Sequence, residues 1–238
     1  MRVDVLADAD AVAARAAAFV AAEARVAVRS RGAFTLALSG GRTPWQMLRR
    51  LALEDVPWAK LHLFQVDERV APAGDADRNL THIAEALLAH VPLPPAQVHA
   101  MPVEAAALDA AARDYAATLR AVAGAPPVLD LVHLGLGADG HTASLVPGDA
   151  VLGASGTDVA LTAAYQGRRR MTLTYPLLGR ARRILWLVTG GEKAAMLARL
   201  RAGDTSIPAG RVERSRAWLL ADRAAAAGAA AAQEGAAR

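Results

Sequence analysis

The segment Gly135-Leu136-Gly137-Ala138-Asp139-Gly140-His141-Thr142-Ala143-Ser144 sets a carboxylate and an imidazole two residues apart in a glycine-rich stretch. An imidazole near its ordinary pKa of about 6.5 takes a proton from water and returns it to a leaving oxygen. His141 is the candidate general base, and Asp139 the candidate to orient its ring or support the loop. Gly135-x-Gly137-x-x-Gly140 formally fits a dinucleotide fingerprint. The context does not: Pro147-Gly148 stops any following helix after about one turn, and no acidic residue closes a second strand about 20 residues later. His133, inside an apolar run, reads as a core histidine. The remaining histidines have no metal-ligand spacing.

Three more segments carry anion chemistry. In Ser39-Gly40-Gly41-Arg42-Thr43-Pro44-Trp45-Gln46 two glycines turn the chain tightly and expose backbone N–H groups. Thr43 is expected to cap the next helix, Pro44 to take its first position, and Thr43 and Gln46 have the spacing of a capping box. Such a turn is either an anion pocket built on a helix start or an ordinary strand-to-helix connection. It is not a Walker A loop, because no Gly-Lys-Ser/Thr follows. Ala37-x-Ser39-x-Gly41 has the look of a degraded nucleophile elbow, which makes a serine hydrolase a lesser alternative. Asp67-Glu68-Arg69 directly follows an apolar run and precedes a long loop to Asn79. Its arginine suits phosphate oxygens, or else a surface ion pair. Thr189-Gly190-Gly191-Glu192-Lys193 opens a helix with a lysine on the unfavourable side of the helix dipole. Lys193 therefore reads as facing an anion such as a phosphate.

These segments need a scaffold that gathers them. Strands are expected at Phe34–Leu38, Leu61–Val66, Val128–Leu134, Met171–Thr174, Ile184–Val188 and Trp218–Leu220. Helices are expected at about Asp10–Arg29, Pro44–Leu53, Asn79–His90, Glu104–Ala121 and Gly191–Leu200, after one further strand at the start of the chain. Apolar strands separated by helices imply a mostly parallel sheet flanked by helices on both faces, an α/β fold. Parallel strands bring the loops at their C-terminal ends to one edge, where open α/β sheets bind ligands. The four segments all follow strands, so they are expected to meet there. The reading is one domain over residues 1–223, followed by an Ala-rich tail over 224–238 that is weakly helical or frayed.

Composition removes several function classes. The 238 residues are 54% hydrophobic and contain no cysteine, which excludes disulfides, thiolate nucleophiles and thiolate zinc sites. No apolar run approaches the roughly 18 residues of a membrane span, and the N-terminal stretch lacks the basic flank of a signal peptide. The expectation is a soluble, cytoplasmic protein with no membrane partner. The net charge is +4, yet of the 27 basic residues only Lys60 and Lys193 are lysines. Heavy Ala and Arg usage of this kind is a compositional bias that inflates the pI. No basic stretch carries interleaved aromatics for base stacking, so no nucleic-acid partner is expected. The clusters Arg168-Arg169-Arg170 and Arg180-Ala181-Arg182-Arg183 read as solvated surface, unless one arginine faces a small anionic substrate.

Together the blocks Ser39–Pro44, Asp67-Glu68-Arg69-Val70-Ala71-Pro72 with Asn79, Gly135–Gly148, Arg170–Leu178 and Gly190–Ala194 resemble the 6-phosphogluconolactonase family of the glucosamine-6-phosphate isomerase/6-phosphogluconolactonase superfamily. The resemblance runs from about Phe34 to Arg211, and the long His-containing block is its most specific part. It implies a Rossmann-like fold and hydrolysis of 6-phospho-D-glucono-1,5-lactone to 6-phosphogluconate in the oxidative pentose phosphate pathway, the work of a carboxylic ester hydrolase. On that basis the substrate phosphate is expected over Ser39, Gly40 and Gly41 with Lys193, completed by Arg69 or Arg170. Arg170 reaches the site only if its segment runs back toward the active edge. His141, Asp139 and Arg69 are the expected catalytic group, and Asp67 and Asn79 the other substrate contacts. No metal or organic cofactor is expected, and the chain is expected to be a monomer or weak homodimer. Three departures stand out: Arg78 for a small Ser, Arg42 for the common Ser, and Val146 for the common Phe. Arg78 leaves the course of the Asp67–Asn79 loop open. In the deaminase branch a glutamate falls where Val146 stands, and valine cannot titrate for aldose–ketose isomerisation. Sugar-phosphate sensors use a similar fold attached to a DNA-binding domain, whereas the first thirty or so residues here read as one strand and one long helix.

Overall fold

Short apolar runs alternate with helices from the first residues onward. In the computed structural model, which describes residues 1–227, the strands are β1 (Arg2–Leu6), β2 (Phe34–Leu38), β3 (Leu61–Gln65), β4 (Asp67–Arg69), β5 (Val98–His99), β6 (Leu131–Leu134), β7 (Val159–Leu161), β8 (Arg170–Leu173), β9 (Ile184–Val188) and β10 (Ala217–Asp222). The α-helices are α1 (Ala9–Arg31), α2 (Arg42–Leu51), α3 (Asn79–Ala86), α4 (Leu108–Ala123), α5 (Tyr175–Arg180) and α6 (Ala194–Ala202). A seven-stranded, all-parallel sheet runs in the order β1-β10-β9-β6-β2-β3-β5. From β2 the chain builds outward through β3 to β5, then returns to lay β6 on the other side of β2. The order therefore reverses between β2 and β6, and the crevice beyond their C-terminal ends is the topological switch point.

Side-chain alternation splits the core into two layers. Phe34, Leu36, Leu38, Leu131, Leu185, Leu187, Trp218 and Leu220 face α1, α2 and α3. Ala37, Val132, Leu134, Ile184, Trp186, Val188, Leu219 and Ala221 face α4, α5 and α6. The long helix α1 presents Val12, Ala13, Ala16, Ala17, Val20, Ala21, Ala24 and Ala27, all buried, at helical spacing. Asp8 caps its start by accepting the Ala11 N–H at 2.8 Å, and Gly32 closes it with φ 81°. Among the described residues no helix is long and apolar enough to cross a membrane.

Several expectations need correction. Met171–Thr174 does not join the parallel sheet: β8 pairs antiparallel with β4 and with β7 in a separate three-stranded sheet. Helix α2 starts at Arg42 with Gly41 as its cap, so Thr43 caps nothing. Its hydroxyl meets that of Thr189 at 2.6 Å instead. The expected helix Asn79–His90 ends at Ala86 and is followed by a separate 3₁₀ turn, Leu88–His90. The segment Gly191–Leu200 divides into a 3₁₀ turn, Gly191–Lys193, and α6. Of the Ala-rich tail, residues 224–227 continue helical after β10, and the remainder lies outside the described residues.

Candidate active site

The C-terminal ends of β2, β3 and β6 open onto a cleft of about 400 Å³ at the switch point. Its lining includes every residue singled out from the sequence: Ser39, Gly40, Gly41, Asp67, Arg69, Asn79, Asp139, His141, Arg170 and Lys193. It also includes Tyr165 and Gln166, which the sequence reading missed.

After β6 the loop folds back on itself: the Gly137 N–H donates to the His141 carbonyl at 2.8 Å, and the Gly140 N–H to the Gly137 carbonyl at 3.1 Å. This tight course presses the His141 ring and the Asp139 carboxylate against Gly137, where any Cβ would collide with both. His141 Nδ1 lies 2.5 Å from Asp139 Oδ1, and the His141 backbone N–H donates to the same oxygen at 3.1 Å. Partial burial works to raise the Asp139 pKa, but hydrogen bonds from His141 and Tyr165 and the attraction of the imidazole outweigh it and hold it low. An ionised Asp139 requires a proton on Nδ1, which leaves the ring's lone pair on Nε2.

The opposite wall is made by the β4–β8 pair. Arg69 and Arg170 are direct register partners across it, so the segment before Met171 does run back to the active edge. Arg170 is buried, contrary to a surface reading of its cluster. Burial, then the neighbouring Arg69 charge, push its pKa below the ordinary arginine value. Arg69 donates to the Asp77 carbonyl at 2.5 Å, and Arg170 to Gln166 Oε1 at 3.2 Å. Among the described residues neither guanidinium is paired with a carboxylate, and the buried Nε of each has no partner. Four other arginines of the two clusters are spent on ion pairs, Arg168 with Asp75 and Asp77, Arg180 with Asp158, Arg182 with Asp130 and Arg183 with Glu23, while Arg169 is exposed. Two adjacent cations at the end of a cleft suit a dianion.

On the near side, the N–H groups of Gly40 and Gly41 donate to no described protein group, and no side chain caps α2. Lys193 closes the turn beside them and also borders an adjoining groove of about 580 Å³. Ser39 Oγ is buried without a partner, and its backbone N–H donates to His133 Nδ1 at 3.3 Å. No described base touches Ser39 Oγ, which counts against a serine nucleophile. Burial pushes the His133 pKa down to about 3, so this core histidine is neutral, with Nε2 unpaired.

Asp67 and Asn79 sit at the floor. Ser144 Oγ donates to Asp67 Oδ2 at 2.6 Å, and Asn79 Nδ2 donates to the Asp67 carbonyl at 2.9 Å. Asn79 Oδ1 lies against Gly40, where only a glycine leaves room for it. The fully buried Glu68 accepts the Asn79 and Leu80 N–H groups, each at 2.8 Å, and so caps α3 from eleven residues upstream. Arg78 settles the course of the loop. Its guanidinium lies 3.3 Å from Glu68 and 2.7 Å from Glu104, and donates to the Ala71 carbonyl at 3.0 Å. Among the described residues no group of three His, Cys, Asp or Glu side chains is placed to hold a metal ion.

Residues 7–221 match the family described as glucosamine-6-phosphate isomerases/6-phosphogluconolactonase. The chain is 38% identical to the 6-phosphogluconolactonase of Synechocystis sp., over 85% of this chain and 86% of that protein. It is also 38% identical to that of Mycobacterium tuberculosis, over 94% and 97% of the two chains. The solved structure of 6-phosphogluconolactonase from Trypanosoma brucei superimposes with a TM-score of 0.83 at 26% identity, covering 95% of this chain and 97% of that one.

Proposed function

The chain belongs to the glucosamine-6-phosphate isomerase/6-phosphogluconolactonase family, and from that premise we propose how its cleft works. It is a 6-phosphogluconolactonase, hydrolysing 6-phospho-D-glucono-1,5-lactone to 6-phosphogluconate. The substrate phosphate lies between Arg170, Lys193 and the open N–H groups of Gly40 and Gly41, over Ser39. That places C1 of the lactone at His141. Nε2 takes a proton from water as its oxygen attacks C1, forming a tetrahedral oxyanion stabilised by Arg69 and loop N–H groups. The imidazolium then protonates the ring oxygen as the C1–O5 bond breaks, which regenerates the neutral ring. Asp139 keeps Nδ1 protonated and the ring fixed throughout. Asp67 and Asn79 bind the sugar hydroxyls. The enzyme works in the cytoplasm as a monomer or weak homodimer.

The observation that carries this reading is the 2.5 Å Nδ1···Oδ1 contact in a cleft that also holds two adjacent arginines free of carboxylates. The deaminase chemistry of the same family needs one more carboxylate, and Val146 is a buried apolar residue at that place. The test is direct. Purified protein should hydrolyse the phosphorylated lactone above its spontaneous rate, keep that activity in EDTA, and release no ammonia from glucosamine 6-phosphate. His141→Ala should lower kcat by about 10²–10⁴-fold with little change in KM. A variant within about threefold of wild type removes His141 from the chemistry.

A further inference from the structure

The Asp139–His141 pair has a third partner that the reaction scheme leaves unused. Tyr165 stands at the tip of a hairpin, its backbone bridged to Arg168 in both directions at 2.9 and 3.3 Å. The turn is tight enough that Gln166 (φ 52°) and Gly167 (φ 79°) are both left-handed. Arg168 anchors it by pairing with Asp75 and Asp77 at 3.1 and 3.0 Å. From this tip the Tyr165 hydroxyl donates to Asp139 Oδ2 at 3.0 Å. Its ring meets the His141 ring edge-on at 5.5 Å and carries the Arg170 guanidinium 4.9 Å from its centroid. The next residue, Gln166, accepts from the same guanidinium.

We propose that Tyr165 is a positioning residue: its hydroxyl locks the Asp139 carboxylate from the side away from His141, and its ring seats Arg170 for the phosphate. The assignment rests on the lactonase reading of the cleft. A carboxylate held through one oxygen swings readily, because the terminal torsion of aspartate is broad. Oδ1 is committed to His141, so only a donor on Oδ2 fixes the plane in which Oδ1 meets Nδ1. Tyr165 supplies that donor. Orientation of a general base within a few tenths of an ångström is what separates a working site from a merely assembled one. The ring serves the other end of the substrate. A guanidinium over an aromatic face keeps its N–H fork directed outward, toward an anion in the cleft.

Two variants separate the two contributions. Tyr165→Phe removes only the hydroxyl, and is expected to lower kcat about 10-fold with KM nearly unchanged. The loss should be equal on unphosphorylated glucono-1,5-lactone, because the lock acts on the Asp139–His141 pair and not on the phosphate. Tyr165→Ala also removes the ring. It is expected to raise KM for the phosphorylated lactone by about 10-fold more, while matching Tyr165→Phe on the unphosphorylated one. A residue that merely supports the hairpin would instead depress both lactones together in Tyr165→Ala and leave Tyr165→Phe at wild type. A readout independent of turnover is the downfield proton resonance of the His141 Nδ1–H. It should move in Tyr165→Phe, and a resonance that stays in place overturns the lock. So does a Tyr165→Phe kcat within about twofold of wild type. If wild type leaves the lactone untouched, the activity reading fails on its own while the resonance still decides the contact.

Discussion

Lys193 is the residue whose role is most cleanly separable from the chemistry. It borders both the catalytic cleft and the adjoining groove, at the turn after β9, and sits beside the open N–H groups of Gly40 and Gly41. In the proposed binding mode a cation there acts on the substrate phosphate, remote from C1. Binding energy from a remote group shows up in KM alone if it is uniform, and in kcat as well if it positions the ring. Either way, Lys193→Ala should lower kcat/KM for the phosphorylated lactone by about 10-fold or more, the worth of a lost charge-assisted contact. On unphosphorylated glucono-1,5-lactone the wild type and variant should be equally poor. Equal damage on both substrates would move the phosphate away from Lys193. His141 and Lys193 were legible from sequence because each is chemically conspicuous: an imidazole among glycines, and a lysine in a chain built on arginine. Tyr165 was not, since nothing local marks it. Its partner Asp139 lies 26 positions away, and only the hairpin brings them together.

At the scale of elements, the parallel sheet was readable and the small antiparallel one was not. Runs such as Phe34–Leu38 and Ile184–Val188 are buried on both faces and announce themselves as continuous apolar strings. β4 is only Asp-Glu-Arg, with no strand pattern, and becomes a strand solely by pairing with β8. The start of α2 differs for a similar reason: Thr43 and Pro44 carry the local capping signal, yet the helix opens at Arg42 on a bare glycine. α3 starts where expected, at Asn79, and is capped by Glu68 from a distant turn. That remote cap carries a consequence for stability. Glu68 is fully buried with Arg78 packed over it, and holds two helix N–H groups and the Gln65 amide besides. Glu68→Ala strands a buried guanidinium and those donors together. It should cost about 3–5 kcal/mol in urea unfolding, the range for breaking a buried ion pair. Glu68→Gln keeps one acceptor oxygen and should fall between. An alanine variant within about 1 kcal/mol of wild type would show that Glu104 alone satisfies Arg78.

For the molecule as a whole, a titratable group lies at the centre of the sheet. His133 is wholly buried on β6, between β2 and β9, with its pKa pushed down to about 3 by burial. Protonating it therefore opposes the entire fold rather than one loop. In the unfolded chain a histidine titrates near 6.5. Between that value and about 3, the unfolded state binds a proton that the native state refuses. Stability is thus fully present above about pH 6.5, and falls as pH drops through the window at about 1.4 kcal/mol per unit. Burial also depresses His62 and His99, stacked on neighbouring strands, and they act in the same direction. Isolating His133 requires a neutral replacement that keeps its one hydrogen bond. Asn offers an oxygen near the place of Nδ1, able to accept the Ser39 N–H that His133 now accepts at 3.3 Å. His133→Asn leaves a smaller side chain in the core, so its stability should drop at every pH. The informative quantity is the difference between urea unfolding at about pH 7.5 and about pH 5, and wild type should lose about 2 kcal/mol more across that span than the variant. The contributions of His62 and His99 are common to both proteins and cancel in the comparison. Equal pH dependence in the two would mean that His133 gains its proton without unfolding the sheet. The gained proton would then lie on Nδ1, which now accepts the Ser39 N–H at 3.3 Å, so two N–H groups would face each other across that contact.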